Sequence, residues 1–115
     1  MNYNRGDVVL ILFPDSNLRT AKRRPALVIQ ADNLATGLPQ IIVAMITSNM
    51  SRAGHRSRIS IEKDSAEGRM MGLLTDSVVM TDNLATIGHS EIDRKIGARS
   101  DMIPIDAAIK HTLGL

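Results

Sequence analysis

Cysteine and tryptophan are absent from this 115-residue chain, and the aromatic side chains are reduced to Tyr3 and Phe13. Without cysteine there is no thiol nucleophile, no zinc–thiolate site and no disulfide scaffold. With so few aromatic rings, the stacking platforms that proteins use for bases or proline-rich peptides are missing, so any nucleic-acid contact must rest on arginine, polar side chains and backbone groups. Long apolar runs are lacking too. Stretches such as Ile41–Ile46 are far too short to span a bilayer, and the opening residues carry Asp7 and no small-residue cleavage signature, so they do not read as a signal peptide. No glycine-rich phosphate cradle and no Gly-x-Ser-x-Gly elbow occurs. His55, His89 and His111 are scattered without metal-ligand spacing; only His55, inside a basic cluster, has a functional reading.

What is present is an ordinary globular composition, 43% hydrophobic and 23% charged, at a length that supports one core. A single domain over residues 1–115 is expected, with the cytoplasm as its compartment. The formal net charge of +2 conceals a split. Residues 1–60 hold eight basic groups against three acids, whereas residues 61–115 hold six against nine. The excess is concentrated in two knots, Arg19–Arg24 and Arg52–Arg58, and arginine outnumbers lysine ten to four. A planar guanidinium fork suits phosphate better than an ammonium point charge does. These knots therefore read either as a face for an anionic polymer or as two solvated loops.

Val8–Phe13 is a β-branched run too short for a helix and reads as a buried strand entered through the Arg5-Gly6-Asp7 turn and ended by Pro14. Polar, turn-rich residues from Asp15 to Arg24 predict an exposed loop, after which Pro25 leads into a strand over Ala26–Gln30. Gln40–Ser48 is apolar on both pleat faces until its end, the pattern of a central strand. Short strands are expected at Arg58–Ile61, Asp76–Thr81 and Leu84–Ile87, with a methionine-rich connection at Gly68–Gly72. One helix is predicted over Asp106–Leu113, with Pro104 in its first turn, Ile105, Ala108, Ile109 and Leu113 on one face, and Gly114 after its end. The fold class is thus mostly β with a C-terminal helix. The pentapeptide Asp-Asn-Leu-Ala-Thr occurs at 32–36 and again at 82–86, with unmatched flanks; it reads as reused turn chemistry.

Two residues stand where chemistry is most readily built. Arg24 leads directly into a proline and a buried strand, and Thr47 lies where another buried strand emerges. If those strands are neighbours, a guanidinium and a hydroxyl can face one phosphodiester. The alternative is a surface ion pair at Arg24 and a hydroxyl that satisfies a backbone group at Thr47.

Arg5-Gly-Asp-Val-Val9, Lys22-Arg-Arg-Pro-Ala-Leu-Val-Ile29, Ile42-Val-Ala-Met-Ile-Thr-Ser48, Thr75-Asp-Ser-Val-Val79, Glu91-Ile-Asp-Arg-Lys-Ile-Gly97 and the terminal Leu113-Gly-Leu, in that order, resemble the MazF/PemK family of toxin endoribonucleases. The resemblance implies an SH3-like small β-barrel, a homodimer, a cognate antitoxin, and metal-independent, cofactor-free cleavage of single-stranded RNA. It assigns Arg24 and Thr47 as the catalytic pair and the preceding loop, with Ser16, Arg19, Lys22 and Arg23, to RNA or antitoxin. Ser48 and Asn49 beside Thr47, and Asn83 after the Val78–Met80 strand, are further expected RNA contacts. Cleavage by the substrate's own 2′-OH, giving a 2′,3′-cyclic phosphate and a 5′-OH, agrees with an inventory in which arginine is the available charge stabiliser. Two other readings share this fold: a gyrase poison of the CcdB type, whose tryptophan-containing tail has no counterpart here, and a barrel that binds antitoxin without cutting RNA.

Overall fold

The computed structural model describes residues 2–14 and 21–115, without the side chains of Phe13, Pro14 and Ala21. Six strands, β1 (Asp7–Pro14), β2 (Ala21–Val28), β3 (Gln40–Thr47), β4 (Arg58–Ile61), β5 (Ser77–Gly88) and β6 (Ile92–Ala98), form one antiparallel sheet in the order β4-β5-β3-β2-β1-β6. A short helix α1 (Ala66–Met70) precedes β5, and α2 (Ile103–Leu113) closes the chain. No helix among the described residues is long and apolar enough to cross a membrane.

Alternation along the strands sorts their side chains onto two cores. Val8, Leu27, Ala44, Ile46 and Val79 pack with Ile61, Met71, Leu73 and with Ile105 of α2. Val9, Ile11, Ala26, Val28, Val43 and Met45 pack with Ile41, Ile87 and Ile92. The second core is built from strand side chains, with Tyr3 of the segment before β1 packed against it. The sheet itself stays open, with β4 and β6 as its edges. The mostly β architecture with a C-terminal helix is the one expected. On α2, Ile105 and Ala108 are buried as the periodicity requires, and burial of a side chain such as Ile105 is worth about 1.5–3 kcal/mol. Leu113, the last residue of the helix, is 55% exposed.

Several local expectations are corrected. Lys22, Arg23 and Arg24 belong to β2, not to a loop: their backbones pair with Phe13, Leu12 and Ile11 of β1, and that partner decides the conformation. The methionine-rich connection contains α1, started by Ser65, whose Oγ accepts from Gly68 N–H at 3.0 Å. Two strands expected at 76–81 and 84–87 are one strand, β5, interrupted by a shift in pairing from Met45↔Met80 to Ala44↔Leu84 that leaves Thr81, Asp82 and Asn83 as an excursion. The repeated pentapeptide is a turn only once. At 32–36 it lies in the β2–β3 loop, with Asn33 and Ala35 at φ 58° and 55°, whereas Leu84–Thr86 pair with β3.

Glycine is demanded sterically at Gly97, where a Cβ would lie 2.4 Å from the carbonyl oxygen of Met70 and 2.6 Å from that of Met71. β6 and the end of α1 approach there backbone to backbone. Gly114 is different: it caps α2 at φ 72° in open space. Urea unfolding should therefore separate the two. Gly97→Ala is expected to lose stability at the level of an overpacked core, about 1–3 kcal/mol, and Gly114→Ala only the left-handed strain of one residue, about 1 kcal/mol.

Candidate active site

β2 and β3 are held together by three buried pairs, Ala26↔Met45, Leu27↔Ala44 and Val28↔Val43. The ladder stops at Ala26, next to Pro25, which has no N–H to donate. Continuing the register two residues past its end sets Arg24 opposite Thr47. At this open end lies a cleft of about 530 Å³. Its floor is apolar, from Leu10, Ile46, Leu73 and Ile96, with the buried Ser77 beside them, and its rim carries Lys22, Arg23, Arg24 and Arg94 together with Thr47, Ser48 and Thr75. No acidic residue among the described residues lines it. A basic rim over an apolar floor accommodates a phosphate and the flat edge of a base side by side.

Thr47 is partly buried, and its Oγ1 accepts from the N–H of Asn49 at 3.1 Å. The expected alternative, a hydroxyl satisfying a backbone group, is therefore realised. It consumes one acceptor position, leaving the hydroxyl proton and the second lone pair directed by that bond. Asn49 in turn caps a 3₁₀ turn over Met50–Arg52, its Oδ1 accepting from Ser51 N at 3.1 Å and from Ser51 Oγ at 2.7 Å.

Of the residues singled out in the sequence, Arg24, Thr47, Lys22, Arg23 and Ser48 come together in the cleft, and Asn49 sits directly behind Thr47. Ser16 and Arg19 lie outside the described residues. Asn83 is exposed in the β5 excursion and does not line the cleft. Arg23 is drawn toward β6 by its Nε, 2.9 Å from Asp93 Oδ2. The second basic knot is partly neutralised: Arg58 Nη2 donates to Asp82 Oδ2 at 2.8 Å. This hydrogen bond to Arg58 holds the Asp82 carboxyl below its usual range, and Asp82 raises the Arg58 guanidinium in return. Because the carboxyl is lowered in the folded chain, its stabilisation is present above the ordinary carboxylate range and is lost only as acid titrates through the lowered value, so the pair is intact at neutral pH.

The histidines lie away from the cleft. His89 meets Tyr3 edge to face at 5.7 Å, and the rings of His55 and His111 are 6.2 Å apart. Among the described residues no three His, Asp or Glu side chains gather in an arrangement that would hold a metal ion. Arg94 was not legible as a site residue. It arrives from β6, a strand that its charged Asp93-Arg94-Lys95 run conceals, and only the topology brings it beside β2 residues some 70 positions away.

A family model for the PemK-like, MazF-like toxin of type II toxin–antitoxin systems matches residues 4–113. Endoribonuclease MazF2 of Mycobacterium bovis and endoribonuclease MazF6 of Mycobacterium tuberculosis are each 32% identical over 107 residues, covering 90% of this chain and 90% of theirs. A solved structure described as an endoribonuclease in complex with its cognate antitoxin from a mycobacterial species aligns with a TM-score of 0.73 over 99% of this chain and 97% of that one; at 20% identity it speaks to the fold alone. Matched along almost its whole length, the chain belongs to the PemK-like, MazF-like family of type II toxin–antitoxin toxins.

Proposed function

We propose that this endoribonuclease toxin cuts single-stranded RNA in the cleft at the open end of β2 and β3, with Arg24 and Thr47 as its catalytic pair and without a metal ion. The observation that carries the reading is their convergence: opposite register positions on neighbouring strands, both lining one basic, apolar-floored cleft. The nucleophile is the ribose 2′-OH. Its oxygen bonds to the adjacent phosphorus as the bond to the 5′-oxygen breaks; the 2′-OH proton passes to solvent water and the 5′-oxygen takes one from water, leaving a 2′,3′-cyclic phosphate and a 5′-OH. Arg24, charged at any working pH, cannot take the 2′-OH proton; it stabilises the growing charge on the non-bridging and leaving oxygens and can donate a hydrogen bond to the latter. The Thr47 hydroxyl, oriented by Asn49 N–H, holds a phosphate oxygen or the 2′-OH in line for attack. Lys22, Arg23, Ser48 and Arg94 hold the flanking chain.

Relatives named endoribonuclease support the substrate class, and the fold neighbour solved with its cognate antitoxin supports a protein inhibitor as partner. A single-domain toxin of the cytoplasm, acting as a homodimer and silenced by a cognate antitoxin, completes the proposal.

Arg24→Ala should lower kcat by about 10²–10³-fold, the range for loss of one oxyanion donor, while circular dichroism stays native; Arg24→Lys should recover only part of the activity, since the fork is lost. With wild-type protein, a mixed-sequence RNA should be cut in EDTA and its 2′-deoxy analogue left intact. Equal cutting of the deoxy strand would dismiss 2′-OH attack.

A further inference from the structure

The Thr47 hydroxyl is not oriented by its own strand. It is held by Asn49, Asn49 caps the 3₁₀ turn Met50–Arg52, and that turn is closed by Arg52 N–H to Asn49 O and Ala53 N–H to Met50 O, each 3.1 Å. The turn is exposed throughout and buries none of its residues, so it has no apolar anchor. Its polar anchor is Arg58 of β4, whose Nη1 donates to the carbonyl oxygen of Arg52 at 3.2 Å. The same guanidinium is gripped from its other side by Asp82, through Nη2 to Oδ2 at 2.8 Å and Nε to Oδ1 at 3.4 Å. A planar fork with one prong on a carbonyl and two on a carboxylate has little freedom left.

Asp82 is in reach only because β5 departs from its pairing with β3 at Thr81–Asn83. That excursion is itself pinned. Thr81 is fully buried, its Oγ1 donates to Ser57 O at 2.6 Å, and Thr112 Oγ1 of α2 lies 2.8 Å from Thr81 Oγ1 and 2.7 Å from Ser57 Oγ. Thr112 Oγ1 donates to Ser57 Oγ and Thr81 Oγ1 to the Ser57 carbonyl, with the Thr81 and Thr112 hydroxyls themselves in hydrogen-bond contact. Strands β4 and β5 and helix α2 are thereby joined at the base of the excursion.

We infer that Arg58 and Asp82 are positioning residues for the cleavage reaction, setting the placement of the Thr47 hydroxyl through the Met50–Arg52 turn and Asn49. This inference rests on Thr47 acting in the reaction as proposed above. Neither residue lines the cleft, so their loss should act on turnover and not on substrate capture. A displaced hydroxyl about 1 Å out of line is enough to cost up to about 10²-fold.

The test is steady-state cleavage of one RNA oligonucleotide by wild type, Asp82→Asn, Arg58→Gln, Thr47→Ala, and Thr47→Ala combined with Asp82→Asn. Asp82→Asn keeps the Arg58 charge, so a mere phosphate contact by Arg58 would survive it. The expected result is a kcat about tenfold lower for Asp82→Asn and for Arg58→Gln with KM within about twofold, and no further loss from Asp82→Asn once Thr47 is alanine. Partial recovery in Asp82→Glu would reinforce it. Unchanged kcat, a change confined to KM, or an equal loss with and without the Thr47 hydroxyl overturns the positioning role while leaving the catalytic pair standing. Full activity in Thr47→Ala overturns the catalytic pair and this inference with it. If Asp82→Asn fails to fold by circular dichroism, Arg58→Gln severs the same link and decides alone, read with and without Thr47→Ala.

Discussion

Three buried pairs between β2 and β3 govern everything that follows from this fold. Ala26, Leu27 and Val28 face Met45, Ala44 and Val43, and each of the six side chains belongs to one of the two cores. A slip of one residue would send every one of them to the wrong face, so the register is enforced by burial on both sides of the sheet. The polar residues beyond the ladder inherit that register without contributing to it. Arg24, just ahead of the paired β2 residues, and Thr47, just beyond the paired β3 residues, line one cleft because burial of the residues between leaves the register no freedom to slip.

This explains which parts of the molecule could be read from the chain alone. β1 and β3 are continuous apolar runs and were legible, as was α2, with its periodicity, its early proline and the glycine after it. β2 was legible only from Pro25 onward, since Lys22, Arg23 and Arg24 carry loop-like chemistry and are strand only because β1 lies alongside. β6 is an edge strand whose exposed Asp93, Arg94 and Lys95 give no apolar alternation. The duplicated pentapeptide makes the same point: identical residues bend between strands in one place and pair with β3 in the other, according to what lies beside them.

Within the site, residues at strand ends were legible and residues recruited across the sheet were not. Arg24 and Thr47 could be chosen because each adjoins a run of core side chains, and the family resemblance named the same two. The assignment of roles to Ser16 and Arg19 falls outside the described residues, and Asn83 stands away from the cleft, in the excursion that carries Asp82. Asp82 and Arg58 are 24 positions apart and Arg23 and Asp93 are 70 apart. Such pairings depend on strand order, which local pattern does not encode.

The cleft also divides its labour between layers of the molecule. On its floor Ile46 and Leu73 belong to the first core and Ile96 packs against it, whereas Leu74, Thr75 and Arg94 stand at its mouth, with Leu74 90% exposed. Substitutions at the mouth leave untouched the buried pairs that set the β2–β3 register beneath it. Outward positions around the cleft can therefore drift within a lineage while the register beneath them is inherited intact.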